Sequence, residues 1–139
     1  MAVVYLDSSA LVKLVVDEDG SDLAAAVWDG ADAVVSSRLA GPEVRAALAA
    51  AHRGHRLDDA GWTSAAGEWA RLAGGLRMVE LTSEVAEHAG DLAVEHGLRG
   101  ADAVHLASAL VVASPELVVA VWDARLAVGA RAAGLRVVP

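Results

Sequence analysis

Five apolar runs of strand length, Val3 to Leu6, Ala33 to Val35, Met78 to Leu81, Val118 to Trp122 and Val137-Val138, are separated by longer stretches with helical spacing. This alternation constrains the fold more than any other feature. Strands joined through helices align in parallel, and a parallel sheet needs both faces covered. The expected class is therefore α/β, a central parallel sheet with helices on both sides. No linker-like composition or internal repeat divides the chain, so residues 1–139 are expected to form one domain.

Local punctuation sets the helix limits. The first helix is expected from Ser8 to Val16, and the second from Ser21 to Asp29 before Gly30. The third should run from Ser37 to Arg53 and stop at Gly54, with an irregular first turn or a later start because Pro42 lacks a backbone donor. Asp58 or Asp59 caps a fourth that reaches Leu72 ahead of Gly74-Gly75, and Ser83 caps a fifth that ends at His96 before Gly97. Arg99 to Val112 and Asp123 to Ala132 complete the set.

Two of the apolar runs end on an acid. Asp7 follows Val3 to Leu6 and precedes Ser8-Ser9-Ala10-Leu11-Val12, while Asp123 follows Leu117 to Trp122 and precedes Ala124-Arg125-Leu126-Ala127. In open α/β sheets, ligands bind outside the carboxyl ends of the strands. Glu43 and Asp102 fall in the first turns of expected helices. Each acid by itself has an ordinary explanation, as a helix cap or as a first-turn charge favoured by the helix dipole. Together, four carboxylates on one rim repel one another unless a cation neutralises them. Mg²⁺ is suited to carboxylate oxygens, waters and substrate phosphates. The constellation thus points to metal-dependent chemistry on phosphates.

Charge and composition bound that reading. The net charge of −8 argues against a broad electrostatic grip on nucleic acid, unless several of the acids are themselves metal ligands. The chain has no cysteine, which excludes thiolate chemistry. Hydrophobic residues make up 55 %, yet no apolar run reaches the ~18 residues of a membrane span. No secretory signal opens the chain, so a cytoplasmic, membrane-free protein is expected.

The segments Tyr5-Leu6-Asp7-Ser8-Ser9-Ala10-Leu11-Val12-Lys13-Leu14, Pro42-Glu43-Val44-Arg45-Ala46-Ala47-Leu48, Leu98-Arg99-Gly100-Ala101-Asp102-Ala103-Val104-His105-Leu106-Ala107 and Trp122-Asp123-Ala124-Arg125-Leu126 stand in this order along the chain. With Ala133-Gly134-Leu135 closing, they resemble a PIN domain of the VapC toxin type. The resemblance implies a three-layer α/β/α sandwich, a Mg²⁺- or Mn²⁺-dependent endoribonuclease of a type II toxin–antitoxin system, and a VapB-type antitoxin that inhibits it. It also implies that the acidic quartet Asp7, Glu43, Asp102 and Asp123 is both metal site and catalytic site, with Ser9 as accessory hydroxyl. The chain departs from that pattern at Val121, where many relatives carry Ser or Thr, and at Pro42. Those departures keep open a PIN fold retained only for partner binding.

Other residues extend or compete with this reading. Arg99 is a candidate for an RNA phosphate, although Arg is also common at solvated helix starts. His105 follows Asp102 by three residues and is expected to be a packed, hydrogen-bonded histidine, with a role near substrate as the alternative. His52, Arg53, His55 and Arg56 read as a solvated helix end. Trp62, Ala66, Trp69 and Leu72 form an apolar stripe suited to the core or to a partner, and the chain is expected to form a homodimer. A haloacid-dehalogenase-like phosphatase would need a second Asp where Ser9 stands. A receiver-like signalling module would need a Lys after a late strand, and the only Lys is Lys13.

Overall fold

The computed structural model describes residues Met1–Pro139. Its elements are β1 (Val3–Leu6), α1 (Ser8–Lys13), α2 (Ser21–Asp29), β2 (Ala33–Ser37), α3 (Ala40–Arg53), α4 (Asp59–Ala73), β3 (Arg77–Val79), α5 (Ser83–His96), α6 (Gly100–Val111), β4 (Leu117–Ala120), α7 (Ala124–Ala132) and β5 (Arg136–Val138). The strands form one sheet in the order β3-β2-β1-β4-β5, and every neighbouring pair is parallel. The chain leaves β1 for β2 on one side and later returns to β4 on the other. The ends of β1 and β4 therefore flank the point where the winding reverses, the place where an open α/β sheet leaves a crevice.

Alternation along the strands sorts the core into two layers. Tyr5, Val35, Leu117 and Val119 face one side of the sheet and pack with Leu92 of α5, Leu106 of α6 and Leu126 of α7. Val4, Leu6 and Ala120 face the other and pack with Leu11 of α1, Val44 and Leu48 of α3 and Trp69 of α4. Odd and even residues of β1 thus serve opposite cores, as a period of two requires. The result is the three-layer α/β/α sandwich expected from the sequence.

Several boundaries shift for identifiable reasons. Helix α1 ends at Lys13 rather than Val16, because the amides of Leu14 and Val15 bond to carbonyls three residues back and tighten the turn. Helix α3 starts at Ala40 rather than Ser37, since Ser36 and Ser37 remain in β2, paired with Met78 and Val79. Pro42 is the third helical residue, where its missing N–H would have had no partner, and Glu43 N–H still reaches Leu39 O at 3.3 Å. Pro42 therefore leaves α3 regular. Thr82, not Ser83, caps α5 by accepting from Val85 N–H at 3.2 Å. Arg99 and Asp123 are N-cap residues outside α6 and α7 rather than their first helical residues.

Gly20 enters α2 with φ +92°, and a Cβ there would lie 2.6 Å from Trp122 Nε1. The left-handed backbone alone costs an L-residue about 1–2 kcal/mol. Gly20→Ala is expected to lose at least that much stability in a denaturant titration. An unchanged midpoint would contradict the tight packing of this turn against Trp122.

Candidate active site

Asp7 begins where β1 ends. Its backbone is extended and its side chain caps α1, with Oδ1 accepting from Ala10 N–H at 3.0 Å and from Ser9 Oγ–H at 2.7 Å. The cap explanation of Asp7 is thus correct as far as it goes. A solvated cap, however, is not 4 % exposed. Burial pushes the Asp7 carboxyl above its ordinary value against the pull of those two hydrogen bonds and of His105, and the charge of Asp102 adds to the upward shift. Asp123 is built in the same way at the start of α7, with Oδ1 accepting from Leu126 N–H at 2.9 Å.

Glu43 stands in the first turn of α3, and its Oε1 takes two donors, Ser8 Oγ at 2.5 Å and His105 Nε2 at 2.6 Å. Burial alone would raise the Glu43 carboxyl. The hydrogen bonds from His105 and Ser8, helped by the charges of His105 and Arg99, outweigh it and hold the group below the usual carboxylate range. Asp102, in the first turn of α6, accepts from Arg99 Nε at 2.9 Å, while Arg99 Nη2 lies 3.5 Å from Asp123 Oδ2. The hydrogen bond and charge of Asp102, then the charges of Asp123 and Glu43, hold the Arg99 guanidinium in its charged form. The sheet edge thus gathers Asp7, Glu43, Asp102, Asp123, Ser9 and Arg99 into one electrostatic group, contributed by β1–α1, α3, α6 and β4–α7.

The hydrogen bonds leave a regular remainder. Asp7 and Glu43 each commit one oxygen to protein donors and leave Oδ2 and Oε2 without one, and Asp102 leaves Oδ1. Asp123 Oδ2 meets only the side chain of Arg99, which is 72 % exposed. No three His, Asp or Glu side chains are close enough to chelate one ion as they stand. Mg²⁺ does not require that, since it keeps several waters and takes one or two protein carboxylates. A buried acid with a raised pKa, free carboxylate oxygens around it and an arginine already acting as counter-cation form a donor set that fits a hard divalent ion.

Ser8 and Tyr5, whose hydroxyl meets His105 Nδ1 at 2.8 Å, join these residues without being candidates in the sequence, and His105 joins them although the sequence offered a role near substrate only as the alternative. A faint signal existed. Tyr5 and Asp7 share strand parity, and Asp102 and His105 share a helical face. His105 is packed and hydrogen-bonded, as expected, at 2 % exposure, and its partner is a site carboxylate. Val121 is buried among the residues between the sheet and α5–α7, so a hydroxyl there would point into the core. Lys13 pairs with Glu18 at 3.0 Å and lies over the Trp122 ring, away from the role a receiver-like module would give it. His52 bonds Asp59 and stacks on Trp62, as an ordinary helix end can.

Residues 4–127 match the PIN domain family. The chain belongs to that family. It is 60 % identical over all 139 residues to Ribonuclease VapC49 of Mycobacterium tuberculosis (strain ATCC 25618 / H37Rv), covering 96 % of that protein. The PIN fold also superimposes on VapC20 of Mycobacterium tuberculosis, a toxin that cleaves the sarcin-ricin loop, with a TM-score of 0.69, 20 % identity and 95 % of each chain covered. A toxin–antitoxin complex from Klebsiella pneumoniae gives a TM-score of 0.57 at 19 % identity, covering 88 % of this chain and 87 % of that one.

The raised Asp7 carboxyl carries a sign for stability. The unfolded chain releases this proton first as the pH climbs, so stability falls between the ordinary value of about 3.9 and the raised folded value. Glu43 runs the other way, and its contribution is lost as the pH drops through its lowered folded value. Asp7→Asn keeps the Oδ1 acceptor and removes the charge. In chelator near neutral pH it is expected to melt at or above the wild-type temperature, with the difference closing in acid. A mutant clearly less stable at neutral pH would show that the Asp7 charge stabilises the fold by itself.

Proposed function

We propose that this PIN domain is the toxin of a type II toxin–antitoxin pair, an endoribonuclease that hydrolyses RNA phosphodiester bonds with Mg²⁺ or Mn²⁺. The observation that carries the reading is the row of acids at the switch point, Asp7, Glu43, Asp102 and Asp123, each with an oxygen free of any protein donor or met only by Arg99. The 60 % identity to a protein named as a ribonuclease supports it over the whole length of the chain. In this reading Asp7, Glu43 and Asp102 surround the principal ion, one or two of them directly and the rest through its waters, and Asp123 acts through water or on a second one. A divalent ion bound there supplies an acidified water and neutralises charge on the attacked phosphate.

The chain's own residues do the rest. Ser9 and Ala10 N–H fix one oxygen of Asp7, and Ser8 and His105 fix one oxygen of Glu43, so both carboxylates meet the substrate already oriented. Arg99, largely in solvent, exchanges a carboxylate partner for an RNA phosphate oxygen. This local cation offsets the overall charge of −8 only at the site, which suits a target chosen by shape more than by bulk electrostatic attraction.

Restraint by a VapB-type antitoxin and assembly as a homodimer belong to the same proposal. An apolar groove of about 410 Å³ lies between α3 and α4, lined by Pro42, Arg45, Ala46, Ala49, Trp62 and Trp69, and it starts one residue from Glu43. Trp62 is 39 % exposed there. An apolar antitoxin helix in this groove, with a basic side chain reaching the quartet, would compete with the metal for the same carboxylates. No helix of the chain is long and apolar enough to cross a membrane.

Total RNA incubated with the chain is expected to be cleaved in Mg²⁺ or Mn²⁺ and spared in chelator. Loss of an outer-shell partner costs 10–100-fold in metal sites, so Asp7→Asn should cost more than about 100-fold. Cleavage that survives both chelation and Asp7→Asn would refute the metal-site reading. Light scattering is expected to report two copies, and the antitoxin to abolish Mn²⁺ uptake. A strict monomer whose Mn²⁺ affinity ignores the antitoxin would sink the partner model.

A further inference from the structure

A chain of short hydrogen bonds runs from the core to the rim: Tyr5 Oη to His105 Nδ1 at 2.8 Å, His105 Nε2 to Glu43 Oε1 at 2.6 Å, and Ser8 Oγ to the same Oε1 at 2.5 Å. Tyr5 and His105 are 1 % and 2 % exposed, so no water competes for these bonds. The network joins the two sides of the sandwich over the end of β1, since Tyr5 belongs to the core under α5–α7, His105 is a buried residue of α6, and Glu43 stands on α3 on the opposite face.

The donors and acceptors of this network determine which Glu43 oxygen is engaged. Glu43 as a carboxylate offers only acceptors, so both Ser8 Oγ and His105 Nε2 must donate to it. The single Ser8 proton is then used, and its 3.1 Å contact with Nε2 adds only a lone pair beside that N–H. The other ring nitrogen, Nδ1, is held by the Tyr5 hydroxyl at 2.8 Å. Both donors to Glu43 converge on Oε1, which leaves Oε2 as the oxygen available to the site.

We infer that His105 is a positioning residue for the proposed metal site: Tyr5 anchors the ring through Nδ1, and the anchored ring, with Ser8, fixes which Glu43 oxygen faces the ion. The inference rests on the proposed function. Neither Tyr5 nor His105 touches substrate. Outer partners of this kind hold a ligand's orientation through their own hydrogen bonds, and their loss typically costs 10–100-fold in metal affinity.

The test has two readouts on the full chain, neither of them cleavage. Nitrogen-15 spectra of the His105 ring in the metal-free protein are expected to show a proton on Nε2, the nitrogen that donates to Glu43, and Tyr5→Phe, which keeps the aromatic ring in the core, is expected to shift the Nδ1 resonance. A bare Nε2 in the wild type would overturn the proposal. Mn²⁺ binding by calorimetry is the second readout. His105→Gln, whose amide can donate from nearly the position of Nε2, is expected to bind close to wild type, and His105→Leu 10–100-fold more weakly. If His105→Leu does not fold, His105→Asn, too short to reach Glu43, takes its place with the same expected loss. A folded variant without the Glu43 donor that binds Mn²⁺ like wild type overturns this inference alone. A wild-type chain that takes up no Mn²⁺ overturns the functional reading, and the metal part of this one with it.

Discussion

A carboxylate buried at the end of the central strand is the constraint on which this molecule turns. Asp7 is 4 % exposed, and its surroundings raise its pKa rather than relieve it. A buried charge is costly unless paired, and here the compensation is divided between helix α1, which offers Ala10 N–H, and Ser9. The compensation is incomplete by design of the topology. β1 lies between β2 and β4, so the side chain that follows it emerges where two oppositely directed crossovers leave a gap.

The remaining acids are held there by unrelated local devices. Asp123 is the cap of α7, Glu43 is carried by a helix whose proline falls in its first turn, and Asp102 is tied to the arginine that precedes α6. Each device would be ordinary elsewhere, and their convergence is not. It concentrates negative charge at one edge, and Arg99 and the hydrogen bonds of Ser8 and His105 make that concentration tolerable. The edge is thus folded while its charge is only partly compensated.

Much of the fold was legible because its signals are local. The bounds of β1 and of α2 follow directly from apolar run length and from Ser21 and Gly30, the caps at Asp7 and Asp123 follow from side-chain chemistry at strand-to-helix junctions, and of the two candidates Asp58 and Asp59 the first caps α4. The errors fall where pairing decides. Ser36 and Ser37 carry no strand signal of their own, and they are strand because β3 pairs with them and Ser36 Oγ bonds Leu6 O. Thr82 and Ser83 are equivalent caps in sequence, and backbone geometry chose the first.

By itself the sequence determined the α/β alternation, the strand-end positions of Asp7 and Asp123, and the family motifs that put Glu43 and Asp102 beside them. These depend on residue type and spacing along a few turns of chain. Only the tertiary structure decided that Glu43 and His105, 62 residues apart, meet at one oxygen, that Tyr5, 100 residues from His105, meets its Nδ1, and that Arg99 spans Asp102 and Asp123. The physical reason is that a hydrogen bond depends on position and direction within a few tenths of an ångström. Spacing along the chain fixes neither once the partners lie on opposite faces of a sheet.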